Sequence, residues 1–529
     1  MNKYAKLPYS ILKRMISPRL KDRLAVKFFG YSKIYNLDEI NLFQLRQTSN
    51  SQVISNKDFL PHVFSVFYGE KDPNQLVPGA DIPFAQSFAL YYKGITNLVI
   101  YNFFSKNYGI RDPILYRIIA LSDSKVISSF NKILPADSVL ILGDDFGDFT
   151  NKNLPLNCSI LIQAFHPRIK TPAGQLRFLA IYHDAQKGIV SGIHSMQLPM
   201  NGIASKWEPA FRSYGFSDTP AFISTCTNSH EMMSSGDAVG GGMLSRLNAK
   251  RPLAGQNAYM TLESNQNIPQ TIWHDGPVSH SVKSAQKTRR LSPCRTAFFV
   301  PDFQCHAPIL FFSEFQVGFL TSQMTISAFN QNRALLAVEK VPLKASMSSI
   351  DLKALFIAHK LSGSISFVVN FERDLGEFQS SPACYLHIYY RSPNGYADQV
   401  HSDSTIGYGN DPLKKLKSYR CRKFAPFIKN SQLKFIYSII NVGGSRTNPD
   451  HSINVRIISD KRVERVLRFD VPAEGITTIH ADDLVRAIDD QIERTAIVQL
   501  EHETTNYNGV WFCIDQKTRH LGVDHFTGG

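Results

Sequence analysis

The amino-acid sequence predicts a mainly β protein: three divergent tandem β-sandwich units, immunoglobulin-like in size, with an irregular insert and a basic N-terminal arm. Three observations lead there. The chain holds 36 Phe and 21 Tyr in segments that alternate apolar and polar residues instead of following helical spacing. Short strand-like runs recur between turn signals, without helix-length periodicity. One layout of strands, turns, prolines and histidines occurs three times.

The length of 529 residues exceeds a single ordinary core. A hydrophobic content of 43% and a charged content of 19% describe a globular chain, not a disordered one. The net charge of +14 favours an anionic partner: an anionic polymer, a polysaccharide or a membrane surface.

Residues 1–80 form the basic arm and lead-in. The first 33 residues carry nine Lys or Arg and one Asp. They lack the uninterrupted apolar stretch of a secretory signal, and no run of about 20 apolar residues suggests a transmembrane span. The arm reads as an amphipathic segment for a polyanion or membrane surface, or as a solvated helical extension.

The repeat defines residues 81–196, 286–410 and 411–529 as three sandwich units. "IIALSDSKVISSFNKILPADSVLIL", "ISAFNQNRALLAVEKVPLKASMSSI" and "VRIISDKRVERVLRFDVPAEGITTI" each give a strand, a polar turn, a strand and a proline. Ser122 to Pro135, Phe329 to Pro342 and Ser459 to Pro472 all span 13 residues. Tyr182 to His194, Tyr389 to His401 and Cys513 to His525 all span 12. "NLVIYNFF", "APILFFSEF" and "KFIYSIINV" supply an opening strand, giving six or seven strands per unit. "DLKALFIAHK" and "DDLVRAID" add a short helix to the later two. No Cys…Trp…Cys framework accompanies the repeat, so the likeness to immunoglobulin domains is one of size and architecture.

Residues 197–285 do not repeat. They contain the glycine-rich "SSGDAVGGGMLSRLNAK", which lacks the Lys-Ser/Thr of a phosphate-binding loop, and "TIWHDGPVSHS". Irregular insertions on a rigid frame are where sites collect. His274, Asp275 and His280 are therefore weak catalytic candidates, for acid–base or metal-assisted chemistry. Trp207 and Trp273 are candidate partner-binding aromatics, with a core role as the competing reading.

His194, His401 and His525 close the three units. A copied histidine reads first as structural. As a metal set, the three could meet only if the units close around a common axis. No nucleophile elbow, HExxH or paired-carboxylate pattern supports an enzyme. Basic stretches introduce units 2 and 3; in the second, Lys414, Lys415, Lys417, Arg420, Arg422 and Lys423 are candidate polyanion contacts or a solvated connector. No sequence-specific nucleic-acid motif accompanies them.

The seven cysteines are odd in number, dispersed and without a CxxC pair, which points to neither a disulfide framework nor a zinc knuckle. With no leader or span read from the sequence, a cytoplasmic location, peripheral to a membrane at most, is the expectation. No cofactor is expected, a divalent metal being the one candidate. The leading function is a non-enzymatic binding or structural protein for an anionic or carbohydrate-like partner. The rivals are an enzyme sited around Trp273–His280 and a capsid- or shell-type assembly protein.

Overall fold

The computed structural model describes residues 85–104, 113–122, 125–143, 154, 157–166, 176–194, 196–197, 221–226, 229–233, 259–263, 269–272, 291–312, 320–342, 349–374, 384–393, 397–403, 421–441, 452–472, 475–486, 488–502 and 508–527. These form three sandwiches, each of two antiparallel sheets.

Unit 1 pairs β1 (Ala85–Tyr92), β3 (Ile114–Ser122), β4 (Lys125–Leu134) and β6 (Asn157–Phe165) in the order β4-β3-β6-β1, with β9 (Met196–Gln197) beside β1. Its second sheet is β5-β2-β7-β8, from β2 (Thr96–Tyr101), β5 (Val139–Gly143), β7 (Phe178–Asp184) and β8 (Ile189–His194). Unit 2 repeats this order. One sheet joins β14 (Leu291–Val300), β16 (Leu320–Phe329), β17 (Leu335–Pro342) and β19 (Ile365–Asp374); the other joins β15 (Ile309–Phe312), β18 (Ser349–Asp351), β20 (Cys384–Arg391) and β21 (Ala397–Asp403). Unit 3 does the same, with β22 (Cys421–Ile428), β24 (Ser452–Ser459), β25 (Glu464–Asp470) and β27 (Thr495–His502) facing β23 (Leu433–Asn441), β26 (Gly475–His480), β28 (Asn508–Asp515) and β29 (Leu521–His525). Every unit thus reads fourth-third-sixth-first over fifth-second-seventh-eighth. In immunoglobulin domains the first strand pairs with the second, so the likeness stops at size.

The first strand of each unit was not visible as a strand in the sequence. β14 and β22 lie inside the basic stretches that read as connectors, which raises the count to eight. Pro293 and Pro426 argue against strands in those stretches, but β14 and β22 are sheet edges, where a missing N–H costs no ladder bond.

Local chemistry copies the fold where the residues differ. Asn102 Nδ2 donates to the carbonyls of Leu134 and Pro135, and Asn441 Nδ2 donates to those of Val471 and Pro472. The turns after β16 and β24 share a left-handed arginine, Arg333 at φ 63° and Arg462 at φ 63°. In both, the side chain four residues before the next strand residue accepts its N–H: Asn330 Oδ1 from Ala334 and Ser459 Oγ from Val463. The turns after β7 and β28 match as well. Asp184 and Asp515 each cap two following amides with Oδ1, and Gly188 (φ 66°) and Arg519 (φ 62°) hold the left-handed position. The expected short helices are α2 (Leu352–Leu355) and α3 (Ala481–Val485). A further turn, α1 (Phe303–His306), is capped by Asp302. The insert carries its own antiparallel sheet, β11-β10-β12-β13, from β10 (Ala221–Cys226), β11 (Ser229–Met233), β12 (Tyr259–Glu263) and β13 (Pro269–Ile272).

Unit 3 is the hub. Along β28 the side chains divide: Trp511 and Cys513 join the core shared by units 1 and 3, while Val510, Phe512 and Ile514 join the core of unit 2. A strand buried on both faces must be apolar at every position, which accounts for "VWFCI". The same pair of surfaces meets twice. The second sheet of unit 1 packs on the first sheet of unit 3, where Tyr101 and Phe103 meet Phe424 at 5.2 and 5.5 Å between ring centroids. The second sheet of unit 3 packs on the first sheet of unit 2, where Phe512 meets Phe299 at 5.8 Å. Asp302 and Arg519 form an ion pair at that contact, and His306 Nε2 donates to the Arg519 carbonyl at 2.7 Å. Such a head-to-tail contact, repeated, turns successive units about a common line.

Candidate functional site at the junction of three edge strands

The line runs past β8, β21 and β29, the edge strands that end each second sheet. β29 packs against both β8 and β21, and β13 of the insert touches β8 and β21. Register places the three copied histidines identically. Across the sheets the rows read Ile141–Val99–Leu179–His194, Ser349–Phe311–His387–His401 and Thr478–Ser438–Val510–His525.

An edge strand carries outward N–H groups on alternate residues, and burying them unpaired costs about 1–3 kcal/mol each. On β8 and β29 side chains take them. On β8, Val190 N donates to His520 Nδ1 (3.2 Å), Gly192 N to Asp398 Oδ2 (3.1 Å) and His194 N to Asp524 Oδ2 (2.6 Å). On β29, Leu521 N donates to Ser392 Oγ (3.1 Å), Val523 N to Asp398 Oδ2 (2.9 Å) and His525 N to Asp524 Oδ1 (2.7 Å). Asp398 of unit 2 thereby bridges units 1 and 3 with a single oxygen. The backbones approach so closely that glycine is required. A Cβ on Gly192 would stand 2.2 Å from the Trp511 ring, and one on Gly522 would stand 2.9 Å from Ser191 Cα.

At the C-terminal end of these strands, Asp524 lies between two imidazoles. His194 Nδ1 is 2.7 Å from its Oδ2, and His525 Nδ1 is 2.9 Å from its Oδ1. The rings meet edge to face, 4.5 Å apart. An ionised carboxylate only accepts, so the His194 Nδ1 carries a hydrogen. Burial lowers the His194 pKa to about 4, outweighing the attraction of Asp524, and the ring is neutral at pH 7. Burial disfavours the Asp524 charge as well, yet His194 and His525 overcome it and hold the carboxyl well below the usual range. Burial also takes His520 down to about 3.

His194, Asp524 and His525 are 3%, 3% and 5% exposed, so no substrate reaches them in this arrangement. Chemically the cluster can lock two units together, or present imidazole and carboxylate ligands to a cation. One ligand atom from each residue lies within 4.8 Å of the other two.

The structure thus brings together two of the three copied histidines, His194 and His525; His401 occupies the matching position on β21, and its side chain lies outside the described residues. His274, Asp275, His280, Trp207, Trp273, Lys414, Lys415, Lys417 and Arg420 also lie outside the described residues. Arg422 and Lys423 stand on β22, Lys423 half-buried, and only the backbone of Arg422 is described. Sequence reasoning missed Asp398, Ser392 and His520. Aspartate is disfavoured inside strands, so "ADQVH" and "GVDH" carried a usable signal. Among the described residues no helix is long and apolar enough to cross a membrane, and Cys305 and Cys513 are free thiols.

No family model and no curated protein matches the chain. Among solved structures, it is similar to the tetra-tandem repeat in the extending region of a large adhesion protein, at 10% identity and TM-score 0.09, covering 84% of this chain and 98% of that one. It is also similar to the β-glucuronidase of Ruminococcus gnavus, at 9% identity and TM-score 0.10, covering 50% of this chain and 39% of that one. These TM-scores are too low for either likeness to bear on fold or function.

Proposed function

We propose that the chain is a non-enzymatic binding scaffold, three sandwiches locked into one body, and that its partner is an acidic polysaccharide. The observation that carries this reading is a groove of about 540 Å³ where unit 2 meets unit 3. It is lined by Phe329 and the turn Asn330, Gln331 and Arg333 of unit 2 and by Asp470, Thr477, Thr478 and His480 of unit 3. Its volume falls in the range of small-ligand sites. Amides, hydroxyls and one guanidinium suit sugar hydroxyls and carboxylates, and a phenyl ring suits the apolar face of a sugar. The overall basic charge favours approach of a polyanion.

Retention of the full chain on immobilised heparin, used as the probe, tests this. We expect salt-sensitive retention, weakened by Arg333→Ala and by neutralising Lys414, Lys415, Lys417, Arg420, Arg422 and Lys423. Absence of retention at low salt overturns the reading.

A second reading, self-assembly into a shell, is favoured by one further observation. Ile127 and Ile133 on β4, Leu335, Leu336 and Val338 on β17, and Val466 on β25 are exposed large apolar residues at the same edge of all three units. Exposed apolar edges promote association. Light scattering of the purified chain separates the two, since only assembly produces a very large species.

A further inference from the structure

We propose that the junction of β8, β21 and β29 is a structural site for a zinc-like divalent ion, held by His194, Asp524 and His525. The proposal is independent of the polysaccharide reading.

The donor set is the first ground. Two imidazoles and a carboxylate match the nitrogen and oxygen preference of zinc and its neighbours, where softer or harder ions want thiolates or oxygen alone. Geometry is the second. Ligand atoms about 2.0–2.2 Å from a tetrahedral ion lie roughly 3.3–3.6 Å from one another. The three residues already bring one such atom each within 4.8 Å of the others, so shifts of about an ångström complete the arrangement. The third ground is the repeat. Two of its three copied histidines reach the junction, and β21 carries His401 in the row position that His194 and His525 hold on their strands.

The surroundings suit a closed, non-catalytic ion. Beside the bonds that Asp524 makes, two contacts that do not involve the ligands hold the strands: the Asp398 bridge and the Gly522–Ser191 approach. The pocket is therefore framed before an ion enters. All three described ligands are buried, and structural metal sites are closed in this way, whereas catalytic ones keep an open position. Filled, the site would join one residue of unit 1 to two of unit 3.

The test uses the full chain without a histidine tag, dialysed against Zn²⁺ or Co²⁺ and freed of excess metal. We expect one equivalent of bound ion, the intense visible absorption of tetrahedral Co²⁺, and a Zn²⁺-dependent rise in thermal midpoint reversed by EDTA. His525→Ala should abolish the tetrahedral spectrum. Should His525→Ala fail to fold, the wild-type spectrum and the EDTA reversal decide alone. Wild-type protein with neither the spectrum nor the thermal shift overturns the proposal and leaves a hydrogen-bonded clamp. So does a tetrahedral spectrum that survives in His525→Ala, since the ion then sits elsewhere.

Discussion

His194 and Asp524, 330 residues apart, share one carboxylate oxygen twice: the Asp524 Oδ2 accepts both the backbone N–H and the Nδ1–H of His194. A side chain of unit 3 thus completes the open edge of unit 1. Asp524→Ala strands two backbone amides and two imidazoles at once. We expect a loss of about 4 kcal/mol or more, from four buried donors left unpaired at about 1–3 kcal/mol each. Asp398→Ala strands the Gly192 and Val523 amides, and about 2–3 kcal/mol is expected. Denaturant unfolding of both variants checks the order, which is reversed if Asp398 carries the junction.

The buried histidines make stability depend on pH. His194 and His520 titrate at about 4 and about 3 in the folded chain and near 6.5 when unfolded. Between those values the unfolded chain binds more protons, so stability falls as pH drops from about 6.5 towards 4. Asp524, also held low, adds a further loss once pH passes below the ordinary carboxylate value near 4. Thermal midpoints measured from pH 8 to 4 should be flat above pH 7 and then decline. His520→Gln should remove part of that slope.

Gly192 sits against the Trp511 ring with no room for a methyl group. Gly192→Ala should cost about 1–3 kcal/mol by overpacking. Trp511→Phe opens space at the same spot, so the double variant should be less damaged than the two single losses combined. A coupling energy of about 1 kcal/mol or more in the cycle confirms that the ring causes the cost.

Arg333 and Arg462 hold left-handed backbone that favours glycine. Arg333→Gly and Arg462→Gly should be neutral or stabilising by up to about 1 kcal/mol. The same substitution at Arg456 in mid-strand removes its pairs with Glu464 and Glu501 and should destabilise. Calorimetric midpoints distinguish the two behaviours.

The threefold repeat was legible because turn, proline and histidine spacings survive where side chains diverge: Asn330 and Ser459 do one job with different atoms. The first strand of each unit was hidden, since Arg, Lys and Pro in β14 and β22 suit an edge but mimic a linker. The junction was half legible. His525 and Asp524 stood out, but their partners come from other units, and no local pattern says which edges will meet. Gly192 and Gly522, each inside a strand, were the available hints, because a strand glycine marks close backbone approach.

β28 gives one face to each neighbouring core, and that sets an order on biogenesis. As the chain leaves the ribosome, units 1 and 2 can each close their own sandwich, but the surfaces they keep for unit 3 stay wet. Those surfaces, including Tyr101 and Phe299, are covered only after residue 525 has been made. Until then the nascent protein displays adhesive patches of the kind chaperones recognise. A ribosome stalled before β29 would therefore hold a sticky intermediate with two folded lobes, whereas one stalled well beyond it would let the three units close on one another.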